Sequence, residues 1–434
     1  MTIPPIINYV RTTDSLAELE IFMHGYSGYV REAAITRCVV LRAASCLIPI
    51  AMRLNDWVPE VRSAARRAVM FLLPFASQEQ ALTTLHYVQK LRHAGRVDHS
   101  EWIRLFENEL SAQFDLASLE KVVRDGVPAL ARSAFELLIR RPDADLPKVL
   151  REALGCRTNL SLALQAARRC QSLEPVTRAV LLPIAMQSPF GAVRSLALRT
   201  LLQDGAESAH AERALMDSSA PVRAVAIANL GACASETYRG ILASAHASDA
   251  AKRIALQSLA AIRDPDDIAL MRSFSKDASP SVRRVAFLAW LRLDRQARDD
   301  IARLALEDPS LPVQRFGARL IAKEGAYVPL DLIRRILGDQ SDMHVMLTCV
   351  SNLKWPSLEE IARFSGIYSG DPTLRETLVA ALRTWISDAG NMHDRPTSEQ
   401  TQWVRSGAAI SQLSHLLDAD DVALRELNYQ LALV

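Results

Sequence analysis

The sequence predicts an all-α protein, a right-handed α-α superhelix (an α-solenoid) of about twelve helical hairpins. Three observations predict it. A Val-Arg pair followed by Ala returns with a step of about thirty residues, at Val30-Arg31, Val61-Arg62, Val193-Arg194, Val222-Arg223 and Val282-Arg283. Hydrophobic residues make up 49% of the chain but aromatics only 6%, with 16 Gly and 20 Pro in 434 residues, so Ala and Leu dominate a helix-favouring composition. Each repeat also carries an Asp-, Ser- and Pro-rich turn just before its Val-Arg, as in Asp217-Ser218-Ser219-Ala220-Pro221 and Asp277-Ala278-Ser279-Pro280.

With the motif Arg as a marker, the elements run in order through Arg31, Arg62, Arg132, Arg194, Arg223, Lys252, Arg283, Gln314, His344 and Arg375. Steps from Arg194 onward are 29, 29, 31, 31, 30 and 31 residues. The interval from Arg132 to Arg194 holds two units, the silent one near Leu160 to Ala166. The interval from Arg62 to Arg132 holds two longer ones. Within a unit, a first helix has apolar residues at helical spacing, as in Ile268 to Phe274, and the turn follows. A second helix then opens at Val-Arg and continues Ala-x-x-x-Leu, as in Val222 to Leu230. Pro beside the helix start suits the first turn, where its missing N–H has no intrahelical use.

Two segments break the period: residues 77–117, which interleave bases and aromatics from His86 through Arg92 to Trp102 and Phe106, and a polar loop at 387–402 holding Gly390, Asn391, His393, Asp394 and Pro396. Long breaks inside a regular array are often functional. Residues 418–434 read as a C-terminal capping helix entered through Asp418, Asp420 and Asp421. The domain expectation is one array over 1–434.

The repeats resemble the HEAT family in its short bacterial form of about thirty residues, similar in pattern to phycobilisome-lyase-like repeats, over roughly Asp14 to Ala381. Its Asp-x-x-x-x-x-Arg motif stands here as Asp56/Arg62, Asp217/Arg223 and Asp277/Arg283. The resemblance implies that these residues form a ladder of hydrogen bonds between adjacent units. Gln314 after Asp308, and His344 in place of Arg, depart from it.

Composition narrows the function. A net charge of +2, from 51 basic and 49 acidic residues, argues against a polyanion-coating protein. The N-terminus has no basic leader with an apolar stretch, and no apolar run is long enough to span a bilayer, so the expectation is a cytoplasmic chain without a membrane partner. Six scattered cysteines without a CxxC pair read as buried thiols.

Chemistry-bearing motifs are absent, so no catalytic, cofactor or metal residues are expected. Deoxyhypusine hydroxylase resembles this architecture but binds its irons with His-Glu pairs, and this chain has no His-Glu dipeptide. His86 and His93 would lie about 10 Å apart along a helix, too far for one ion. The HEAT-like DNA glycosylases use Trp and Asp on a basic face. Asp56-Trp57 matches that pair in type, but the remaining Trp residues are scattered.

The resulting expectation is a non-catalytic scaffold, adaptor or regulator in a bacterial multiprotein assembly, holding a protein partner on the concave surface of its second helices. The alternative is a nucleic-acid-binding HEAT protein, related to repair or defence, that tracks phosphates through an arginine stripe. Candidate partner-binding residues are Arg66, Arg67, Arg199, Arg284 and Arg319 on the second helices, with Tyr87, Arg92 and Trp102 in the stretched segment.

Overall fold

The computed structural model describes residues 5–338, 342–368, 371–417 and 422–434. Among them are 28 α-helices and five short 3-10 segments, with no strand. The chain is all-α and built of helical hairpins. The helices gather into two compact units, Met1–Leu230 and Gly231–Val434.

In the first unit the hairpin grammar is regular. The helix Gly28–Val40 packs beside Pro59–Leu72, and Gly191–Gln203 beside Ala220–Leu230, so second helices lie against second helices. Their facing positions are small: Ala64, Ala65 and Ala68 on one, Ala197 and Ala226 on others, all buried. Small side chains let helix axes approach to the short end of the usual 8–10 Å range. Proline opens the helices at Pro59, Pro128 and Pro175.

The second unit repeats the pattern. Second helices Asp249–Ile262, Pro280–Leu293 and Leu311–Glu324 pack one on the next, each with its first helix (Ala232–Ala243, Ile268–Phe274, Arg298–Leu306) behind it.

The turns are set by an aspartate that accepts from the backbone N–H two residues on: Asp56 from Val58 at 3.0 Å, Asp217 from Ser219 at 2.7 Å, Asp277 from Ser279 at 2.8 Å and Asp308 from Ser310 at 2.8 Å. This self-capping is why Asp recurs at one place in the repeat.

Residues 77–117 fold as two helices longer than their neighbours' first helices, Gln78–Lys90 behind a Ser77/Gln80 capping box and Ser100–Gln113, joined through Leu91–His93 and a loop over 94–99. Residues 387–402 comprise the end of the helix Pro372–Asp388, an irregular stretch, and the start of Ser398–Arg405. In the tail, Val422–Ala432 is helical. Its proposed acidic entrance at Asp418, Asp420 and Asp421 lies outside the described residues.

Candidate interaction surfaces

The recurring turn chemistry resolves into a definite geometry. Arg31 donates from Nε and Nη2 to both carboxylate oxygens of Asp56 in the next turn, at 2.9 and 2.7 Å, while its Nη1 reaches the carbonyls of Gly25 and Tyr26 in its own turn. Arg194 does the same to Asp217 at 2.9 and 2.6 Å, and Arg283 to Asp308 at 2.6 and 2.7 Å. Lys252 reaches Asp277 with one bond of 2.9 Å. The Arg six residues after each Asp holds that Asp's backbone carbonyl. Arg62 donates to the Asp56 carbonyl at 2.7 Å, Arg223 to the Asp217 carbonyl at 2.8 Å, Arg283 to the Asp277 carbonyl at 2.9 Å, and Gln314 keeps this bond to Asp308 at 2.9 Å.

Burial alone would raise the Asp56 carboxyl. The Arg31 guanidinium and the Val58 N–H outweigh it and hold the group below its ordinary value. Asp217 and Asp277 are lowered in the same way, against burial, by Arg194 and Lys252. With both carboxylate oxygens of Asp56 occupied and the residue buried, the Asp56-Trp57 pair offers no open acid. Trp57 is exposed and edge-on to Tyr26, with the Arg31 guanidinium 5.5 Å from its ring centre.

The candidate partner-binding residues separate into two groups. Arg66 is not free to reach a ligand: its Nη2 lies 2.9 Å from Nδ1 of His99, which the 94–99 loop folds under it. The loop is anchored by Arg96 Nη1 on the Asn55 carbonyl at 2.8 Å. Arg92 pairs with the buried Glu107 at 2.6 Å, Tyr87 packs on the core under Lys90, and Trp102 stacks on Phe106 with 5.6 Å between centroids. Arg67, Arg199, Arg284 and Arg319 are exposed. Arg199 lines a groove of about 510 Å³ between Gly191–Gln203 and Ala220–Leu230, with Ser195, Gln203 and Asn229 as its polar walls.

Sequence reading missed what holds the irregular segments. Glu107 takes Arg92 on one oxygen and Arg140 on the other, and Gln89 donates to Glu136 at 2.7 Å, so residues 78–113 are fastened to the helix Pro128–Leu138 and the residues just after it by the buried Glu107 and the half-buried Glu136. The polar stretch after Asp388 is clamped from below. Lys354 Nζ donates to the Ala389 carbonyl at 2.7 Å, Trp355 Nε1 to the Asp394 carbonyl at 2.9 Å, and Trp385 Nε1 to the Lys354 carbonyl at 2.7 Å. Burial pushes the Lys354 amine below its ordinary value. None of these contacts has a short-range sequence signal, since each joins residues 15 or more apart.

His99 yields a pH-dependent prediction. Burial, then the charges of Arg66 and Arg62, push its imidazole below the ordinary value. Its Nδ1 must accept from Arg66, which puts the proton on Nε2, an atom buried without a partner. The unfolded chain takes up a proton near pH 6.5 that the folded chain resists. This contribution is therefore complete above that pH and is lost as pH falls toward the folded value, by at most about 1.4 kcal/mol per pH unit. Thermal unfolding followed from pH 8 to pH 5 should show the loss. His86, lowered by burial, Lys90 and Arg132, adds a second share, so His99→Phe should flatten the dependence without abolishing it. An unchanged slope in His99→Phe would remove His99 as its source.

Among the described residues no group of three or more His, Cys, Asp or Glu could hold a metal ion, and no helix is long and apolar enough to cross a membrane. Ser365 and His415 come within 2.8 Å, but Ser365 is fully buried and its hydroxyl also reaches the Gln412 carbonyl, which makes the pair a packing contact.

No family model matches the chain, and no curated protein does. Among solved structures, a mutant of Kap121p is similar at 13% identity and a TM-score of 0.31, covering 99% of this chain and 45% of that one. This chain thus spans less than half of that protein's length. An engineered protein is similar at 14% identity and a TM-score of 0.20, covering 97% and 98%. The assignment of an all-α helical repeat rests on the chain's own helices and turns.

Proposed function

We propose that this chain is a non-catalytic protein-binding scaffold of HEAT type, an adaptor or regulator in a cytoplasmic bacterial multiprotein assembly, and that its partner sits on the exposed face of the second helices. One observation carries the reading: second helices pack side by side at a fixed register, pinned by Arg-to-Asp bonds, leaving their opposite faces to solvent. Such a surface binds by area and a few anchors, with no reacting group required. A nucleic-acid reading built on Arg66, Arg67, Arg199, Arg284 and Arg319 is weaker, since Arg66 is already bonded to His99.

The test is affinity capture of the full chain from its host, followed by reconstitution of the purified pair and measurement of its mass in solution. A stoichiometric complex with one protein supports the scaffold. Retention of nucleic acid alone, or of no stoichiometric partner, overturns it.

A further inference from the structure

In the second unit the charge is sorted by helix. Lys252 reaches forward to Asp277 of the next turn, as Arg283 does to Asp308, and Arg283 and Gln314 each hold the carbonyl of the aspartate six residues before them, which fixes the register of their three helices. The next residue in each, Arg253, Arg284 and Arg315, therefore occupies one equivalent position, and all three are exposed. Along the same faces at helical spacing follow Gln257 and Ala261, then Leu288 and Arg292, then Arg319 and Lys323, again all exposed. This gives six cations, and the one acid in line with them is Asp249, a turn before Arg253 at the helix start. Asp249 and Glu324, the acids of these helices, stand at a first and a last residue. Acids gather instead on the first helices and the turns before them: Asp264, Asp266, Asp299 and Asp300.

The cations are largely uncommitted. Arg284, Arg292, Arg319 and Lys323 make no ion pair among the described residues. Arg253 touches only the Asp249 carbonyl, and Arg315 stands 3.7 Å from Asp342. Six like charges on adjoining helices repel one another, a cost that an opposite charge seated on them would relieve.

We infer that this face takes a short acidic segment of a protein partner carrying one apolar side chain. The inference rests on the scaffold reading and names its partner chemistry. Two features favour a peptide over a nucleic acid. The centre of the patch is Leu288, 52% exposed, so an apolar anchor is ringed by arginines, the composition of a protein interface core and rim. No aromatic ring stands among the stripe positions to stack a base. The row Arg253, Arg284, Arg315 crosses two helix spacings, about 20 Å, which an extended peptide covers in about six residues.

The probe is a fluorescent peptide Asp-Glu-Glu-Leu-Glu-Asp-Glu-Glu, its Leu→Ser analogue, and a twenty-residue oligothymidylate, each titrated against the full chain. The expected result is saturable one-to-one binding of the Leu peptide. It should weaken about tenfold with the Ser analogue or with Leu288→Gln, and more than tenfold with combined Arg253→Glu, Arg284→Glu and Arg315→Glu. Combined Arg→Gln at the same three positions should fall between wild type and reversal, and Arg151→Glu, exposed on the first helix Leu146–Gly155 of the first unit, should leave binding unchanged. Matching thermal melts show that the variants fold, since all of these side chains are exposed. Tighter binding of the oligothymidylate than of the peptide, lost by the same reversals, would make the face a nucleic-acid surface and overturn the proposal. So would equal binding by the reversed variant, or no peptide binding at low salt. If the reversed chain still holds the reconstituted partner at wild-type stoichiometry, the acidic-segment proposal fails while the scaffold stands. If wild type holds no partner, the scaffold reading itself fails.

Discussion

Asp56→Ala should lower the unfolding free energy by about 3–5 kcal/mol, the range for removing one member of a buried ion pair. Arg31 is 2% exposed and Asp56 5%, and the pair is bidentate. The loss leaves a buried guanidinium with only the Gly25 and Tyr26 carbonyls, and it also removes the acceptor for the Val58 N–H that shapes the turn. A chemical-denaturation midpoint measured for wild type, Asp56→Ala, Arg31→Ala and the double variant gives the coupling directly. The double variant should be less destabilised than the sum of the singles, because each single strands a buried partner. Additive losses would mean that the two side chains do not act as a pair. The pH dependence follows in sign. The folded carboxyl lies below its unfolded value, so its contribution is whole above about pH 4 and is lost as pH falls through the folded value. Asp217 and Asp277 add to the same acid transition, and Asp56→Ala should remove only its own share.

What was legible in the sequence was whatever is local. A fixed step, an Asp-x-x-x-x-x-Arg motif and a proline at the helix start give the hairpins, because turn capping and first-turn geometry involve residues within six of one another. The motif does not say which residue each aspartate bonds. Asp56 and Arg62 stand together in sequence, yet the carboxylate of Asp56 belongs to Arg31, 25 residues earlier, and Arg62 takes only the carbonyl. The residues proposed for partner binding divide along the same line. Arg66 and Arg92 read as exposed second-helix or loop cations, and nothing near them in sequence announces His99 or Glu107, 33 and 15 residues away. The charge sorting in the second unit was partly legible through Arg284 and Arg319. Arg253, Arg292, Arg315 and Lys323 join them only once the turn bonds fix the register of three helices.

The register also makes one glycine indispensable, with an effect opposite to what helix propensity suggests. Gly317 lies inside Leu311–Glu324, where alanine would ordinarily stabilise an exposed helix by about 0.8–1 kcal/mol. Here a Cβ would stand 2.9 Å from the Ala302 carbonyl oxygen, 3.0 Å from the Ala305 Cβ and 3.1 Å from the Leu306 amide nitrogen, all on the helix Arg298–Leu306. Two of the three are backbone atoms and cannot rotate away, so the helices must part. Gly317→Leu should then cost about 3 kcal/mol, the upper end of overpacking losses, and Gly317→Ala a smaller net amount. Gly240, exposed within Ala232–Ala243 with no atom near its would-be Cβ, is the control. Gly240→Ala should stabilise by about 0.5–1 kcal/mol. Thermal melts of the three variants read both signs at once. A stabilised Gly317→Ala would show that the hairpin has room for a methyl at Gly317. A destabilised one separates packing from propensity within a single unit, because the same substitution gains at Gly240 and loses at Gly317.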